Sequence, residues 1–162
     1  MSSVSRRILV VDDDPASCEL VAYSLKSLGY NVAIAADGIR ALNMNLDDDI
    51  ELVILDVHLP LYSGPEILAM LRKRDVSRQV KFLALTADES TDARESMIRS
   101  GADGFLTKPV DLAALREEVS RLVPGHSQSG GALLRRVRQR GVGDVSSGRP
   151  TDPRAGLLRG NG

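Results

Sequence analysis

Ile8-Leu9-Val10-Val11-Asp12-Asp13-Asp14 runs four apolar residues straight into three carboxylates. The apolar half reads as a buried strand, because a parallel strand covered on both faces has no need to alternate. Its ending is costly, since adjacent carboxylates disfavour one another's ionised form. A hard divalent cation relieves that repulsion, and oxygen ligands are what Mg²⁺ accepts. The competing reading is a helix cap with solvated neighbours. Asp14 precedes Pro15, a residue suited to the first helical position, and Asp14 is read as that cap. For Asp12 and Asp13 this segment alone leaves both readings open.

The same texture continues outward. Leu20, Val21, Leu25 and Leu28 recur at helical spacing and Gly29 closes the helix. A short strand covers residues 31–36, punctuated by Asp37-Gly38, and a short helix runs through Ala41, Leu42 and Leu46. Leu52-Val53-Ile54-Leu55 is a second buried strand ending in an acid, Asp56. Pro60 and Gly64 bound a loop before a helix through Ile67, Leu68 and Leu71. A strand over 80–85 ends at Thr86, and a charge-rich, exposed helix follows over about 88–100. Gly104-Phe105-Leu106-Thr107 is the fifth strand, ending at Lys108-Pro109, and Leu112, Leu115, Val119 and Leu122 line a last amphipathic helix. Five βα units predict an α/β fold: a doubly wound, five-stranded parallel sheet with helices on both faces.

Composition divides the chain. Seven of its 21 Lys+Arg and two of its 22 Asp+Glu lie after Val123, so residues up to 123 carry net −6 and the rest +5. Residues 6–123 are read as one domain. From Pro124 on stand nine of the 14 glycines and three of the seven prolines, without sustained apolar periodicity. Residues 124–162 are therefore expected to be a flexible basic tail with no folded output domain. His126 lies there and receives no role. The single cysteine, Cys18, excludes an internal disulfide and is read as packing on its helix. No stretch reaches the roughly 18 apolar residues of a membrane span, so a cytoplasmic protein is expected.

In open parallel sheets the working site lies beyond the carboxyl ends of the strands. That rule gathers Asp12 and Asp13, Asp56, Thr86 and Lys108, which end the first, third, fourth and fifth strands. The set suits phosphoryl transfer to a carboxylate. A cation and Lys108 meet the charge on the phosphoryl oxygens, Thr86 offers a hydrogen-bond donor, and a carboxylate stands as nucleophile. Asp56 fits that role, standing alone on a central strand while Asp12 and Asp13 are free to hold the metal.

With these residues in place, the chain resembles the receiver domain of two-component response regulators over about residues 6–123. The matching pieces are Ile8 to Pro15, Leu52 to Pro60 with Gly64 and Glu66 beyond, Leu83-Ala84-Leu85-Thr86-Ala87, and Gly101 to Pro109. The resemblance implies a flavodoxin-like receiver fold and a phosphoacceptor, Asp56, loaded by a sensor histidine kinase or histidine phosphotransfer protein. It implies Mg²⁺ held by Asp13 and Asp56, with Asp12 acting through water and His58 contributing its backbone carbonyl. Thr86 would bond the phosphoryl group, Phe105 would turn inward as the switch aromatic, and Lys108-Pro109 would be a cis peptide. The output would be binding of a downstream protein by a single-domain regulator. The domain would phosphorylate and dephosphorylate itself without being a turnover enzyme.

Two positions depart from the family pattern. His58, two residues after the acceptor, is unusual, and Asp88, two after Thr86, is shorter than the common Glu; the resemblance implies that both positions tune dephosphorylation, with a solvated loop residue the alternative reading of His58. Two rivals share some of these residues. A haloacid-dehalogenase-type phosphatase also uses a strand-end Asp-x-Asp, which Asp12 and Asp14 imitate, but needs an acidic pair ending a later strand after the lysine. A DNA-associated regulator would act through Arg135, Arg136, Arg138 and Arg140. Thirty-nine Gly/Pro-rich residues supply no sequence-reading helix with its own core, and a nucleic-acid partner is not expected.

Overall fold

A computed structural model describes residues 6–44, 46, 49–74 and 79–124. The expected tail falls almost wholly outside the described residues. In chain order the elements are β1 (Arg7–Val11), α1 (Pro15–Lys26), β2 (Asn31–Ala35), α2 (Gly38–Asn43) and β3 (Ile50–Asp56). There follow α3 (Gly64–Arg74), β4 (Lys81–Thr86), α4 (Thr91–Arg99), β5 (Gly104–Thr107) and α5 (Leu112–Leu122). The five strands form one parallel sheet in the order β2-β1-β3-β4-β5.

The unbroken apolar runs are explained by where alternate residues go. Leu9, Val11, Val53, Leu55, Phe82 and Ala84 pack on one face with Ala41, Ile67, Leu68, Leu71 and Met97 from α2, α3 and α4. Ile8, Val10, Leu52, Ile54, Leu83 and Leu85 pack on the other with Cys18, Val21 and Leu25 of α1 and Leu115, Val119 and Leu122 of α5. The central strands β1, β3 and β4 alternate between two dry faces, so polarity does not alternate along them, whereas the edge strands β2 and β5 are only partly covered.

Three local expectations shift. Leu20 is 49% exposed: the buried stripe of α1 is Cys18, Val21, Ala22 and Leu25, and a residue one step before Val21 lies about 100° away around the helix. Leu46 is buried, but beyond α2, whose cap residue Met44 is already extended at ψ 145. The helix expected from about 88 starts at Thr91. The Asp88 N–H donates to Thr86 Oγ1 (3.0 Å) and the Ser90 N–H to Asp88 Oδ1 (2.8 Å), so these residues form the turn that enters α4. Ser90 then caps the helix through Ala93 N–H.

Candidate functional site

Sheet register sets the site. Val11 pairs with Leu55, Asp56 with Leu85, and Thr86 with Thr107. Asp12 and Lys108 follow Val11 and Thr107 directly, so with Asp56 and Thr86 they meet at one edge. Two helix starts hold the rim. Asp14 accepts from Ala16 N–H with Pro15 at the first helical position, and Asp111 accepts from Ala113 N–H.

Lys108 Nζ donates to Asp12 Oδ2 and to Asp56 Oδ2, each at 2.9 Å. The other carboxylate oxygens face backbone: Asp14 N–H donates to Asp12 Oδ1 and His58 N–H to Asp56 Oδ1, both at 3.0 Å. Asp12, Asp56 and Thr86 are buried while Asp13 is exposed, and one oxygen each of Asp12, Asp13 and Asp56 lies within 4.8 Å of the others. Three hard oxygen donors against one ammonium leave the cluster short of positive charge, and the donor set fits a divalent cation such as Mg²⁺.

The two buried carboxyls titrate in opposite directions. Burial pushes Asp56 above the ordinary aspartate range, and the Asp12 charge adds to it against Lys108 and the His58 N–H. Burial pushes Asp12 upward too, but the Asp14 N–H, Lys108 and the Ser17 hydroxyl outweigh it and the net is downward. Burial opposes the Lys108 charge, yet the two carboxylates win and its pKa rises. Asp56 is thus the more basic of the pair.

The remaining expected residues lie around this edge of the sheet or on β5. His58 and Asp88 are both exposed. The backbone and hydroxyl of Ser90, with a smaller contribution from His58, hold the Asp88 carboxyl below its usual range. Phe105 is half-buried against the α2–α4 core, with the Arg94 guanidinium 5.6 Å from its ring centroid. The Lys108–Pro109 peptide is cis. Ser17 also bonds the Asp12 carboxylate, with no sequence signal beyond a hydroxyl in the first turn of the helix after Asp12. Gly64 closes the loop after β3: its N–H donates to Val57 O at 2.8 Å, and a Cβ there would lie 2.5 Å from Val57 Cα.

The model of the response regulator receiver domain matches residues 8–120, and the chain belongs to that family. Response regulator MprA of Mycobacterium tuberculosis is 38% identical over 135 residues, 83% of this chain and 53% of that protein. The DNA-binding dual master transcriptional regulator RpaA of Synechocystis is 35% identical over 117 residues, covering 72% of this chain and 48% of its own. The chain spans about half the length of these curated relatives. Among solved structures, the receiver domain of sensor histidine kinase PA1611 from Pseudomonas aeruginosa, with a magnesium ion coordinated in its active-site cleft, matches with TM-score 0.67. It is 30% identical and covers 75% of this chain and 99% of that one.

The chain therefore carries a receiver domain of two-component response regulators on the expected five-stranded parallel sheet, and the dehalogenase-type rival gives way. The relatives are regulators. Among the described residues no helix is long and apolar enough to cross a membrane.

Proposed function

We propose that Asp56 is the phosphoacceptor of a response regulator and takes its phosphoryl group from a phosphohistidine on a sensor kinase or phosphotransfer protein. An Asp56 oxygen bonds to phosphorus as the N–P bond breaks; the electron pair returns to the imidazole, which takes up a proton. The observation that carries this reading is Lys108 Nζ at 2.9 Å from both Asp12 and Asp56, a cation already aimed where phosphoryl charge would arrive. The Thr86 hydroxyl, buried beside Asp56, would donate to the phosphoryl group.

Asp12, Asp13, Asp56 and the His58 carbonyl are the groups that would hold Mg²⁺, which when bound would supply charge neutralisation at the phosphoryl oxygens. His58 and Asp88 flank the mouth and would set how readily water reaches the aspartyl phosphate. Phe105 would report the state of Thr86 to the surface. On this reading the domain changes its own state and turns over no other substrate.

We assign residues 6–123 as the working unit, acting in the cytoplasm, with a downstream protein as the output partner; the basic residues 125–162 lie outside the described residues. The DNA-binding name belongs to a relative of which this chain covers 48%. Incubation with a small acyl phosphate and Mg²⁺ should add one phosphoryl mass to the chain. Chelator or Asp56→Asn should abolish the increment, and labelling that survives either would overturn the assignment.

A further inference from the structure

Leu61 is 81% exposed and stands at φ +73, in the left-handed region that branched residues avoid. The Tyr62 N–H donates to Pro60 O at 3.0 Å. A bond across one residue at positive φ is the strained hand of the γ-turn. Such strain persists where the surroundings over-determine it, and here both ends are fixed. On one side the Gly64 N–H bonds Val57 O at 2.8 Å. On the other, the Ser63 N–H and hydroxyl donate to Glu66 Oε2 at 2.8 and 3.0 Å, and the Glu66 N–H returns to Ser63 Oγ at 3.4 Å. That is a reciprocal cap at the start of α3. The loop is a rigid mount, and it holds a leucine outward.

The mount has a location that matters. An open cleft of about 580 Å³ is lined by Asp13 and by every residue from Val57 to Ser63. Asp56, only 4% exposed, precedes that wall directly. A small phosphodonor can enter such a cleft without touching its outer rim. A protein presenting a phosphohistidine cannot, because its own backbone must come down over the mouth. Resting on the proposed function above, we propose that Leu61 is a docking anchor for the phosphohistidine-bearing protein. Held at a fixed height, it would be buried in an apolar hollow beside that histidine when the two proteins meet. A loop backbone already held by these bonds loses little further freedom on docking, so burial of the leucine it carries converts efficiently into affinity.

The experiment uses the full 162-residue chain and two donors: acetyl phosphate, and whichever autophosphorylated sensor kinase of the source organism transfers fastest to wild type. Leu61→Gly removes the side chain and relieves the turn, whereas Leu61→Asn tolerates positive φ and keeps bulk without apolar surface. In both variants the kinase-to-acetyl-phosphate rate ratio should fall about tenfold, the scale of one leucine left unburied, through KM rather than kcat. An unchanged ratio would overturn the anchor. So would an equal slowing with both donors, which would make the turn part of the chemistry, or a variant that alters only self-association in sedimentation. If wild type takes no phosphate even from acetyl phosphate, it is the proposed function that fails.

Discussion

Two cation–carboxylate clusters lie at opposite ends of β4, and they were built to different ends. At the start of the strand, Arg72 donates to Val80 O (2.8 Å), to Gly101 O (3.1 and 2.7 Å) and to Asp103 Oδ2 (2.6 Å), with its guanidinium 4.4 Å from the Phe82 ring centroid. Asp103 in turn accepts from the Phe82 N–H at 2.9 Å. Among the described residues this cation meets Asp103, and the carbonyls of Val80 and Gly101 also accept from it. At the far end, one ammonium faces Asp12 and Asp56 with Asp13 close by. The first cluster is closed and joins α3 to the α4–β5 turn. The second keeps surplus negative charge under partial burial. Stability favours charge that is balanced, whereas a site for phosphate and metal must leave some charge unmet.

The sharpest way to break the comparison is at its closed end. Arg72→Ala should cost about 3 kcal/mol, since it strips several bonds from carbonyls and leaves Asp103 without its cation. Arg72→Lys should recover less than half, because an ammonium lacks the planar fork that spans Gly101 and Asp103. Urea midpoints of the three proteins measure this. A loss under about 1 kcal/mol would mean that solvent already screens the cluster, and the contrast between the ends would fall.

The same contrast explains what could be read without coordinates. Asp12, Asp56, Thr86 and Lys108 were legible because strand ends in a parallel sheet share an edge, so position along each strand is enough. Arg72 and Asp103 lie 31 residues apart, and most of the arginine's partners are backbone carbonyls, which leave no mark on sequence. Leu20 misled for a related reason: its spacing fits a helical stripe, but only packing against the sheet decides which stripe is buried. Leu61 carried no signal at all, because backbone strain at an ordinary residue is imposed by the bonds on either side of it.

A smaller effect sharpens the open end. If surplus carboxylate charge limits stability there, Mg²⁺ should raise the melting temperature by roughly 4 °C at about ten times its Kd, by mass action on the native state. Asp13→Asn should melt above wild type without metal, because like charges repel, and should gain less from Mg²⁺. Scanning calorimetry with and without Mg²⁺ tests both. Equal gains for the two proteins would remove Asp13 from the metal site.

The smallest effect lies in pH. Asp56 is raised by burial, so its ionised form costs the native state stability above its folded pKa, and that stability returns as pH falls through that value. Asp12 is lowered on balance, so its contribution is full above the ordinary aspartate value of 3.8 and is lost as pH falls toward its folded pKa. In wild type the two trends oppose each other during acidification. Asp56→Asn removes the first and leaves the second. The variant should therefore be the more stable protein at neutral pH in the absence of metal, and its advantage should shrink as acid protonates Asp56 in wild type. Chemical unfolding from pH 7 down to pH 4, with chelator present, follows the difference. An advantage that stays constant across that range would mean that Lys108 already neutralises Asp56, and the charge imbalance that separates the two ends of β4 would then reside in Asp13 alone.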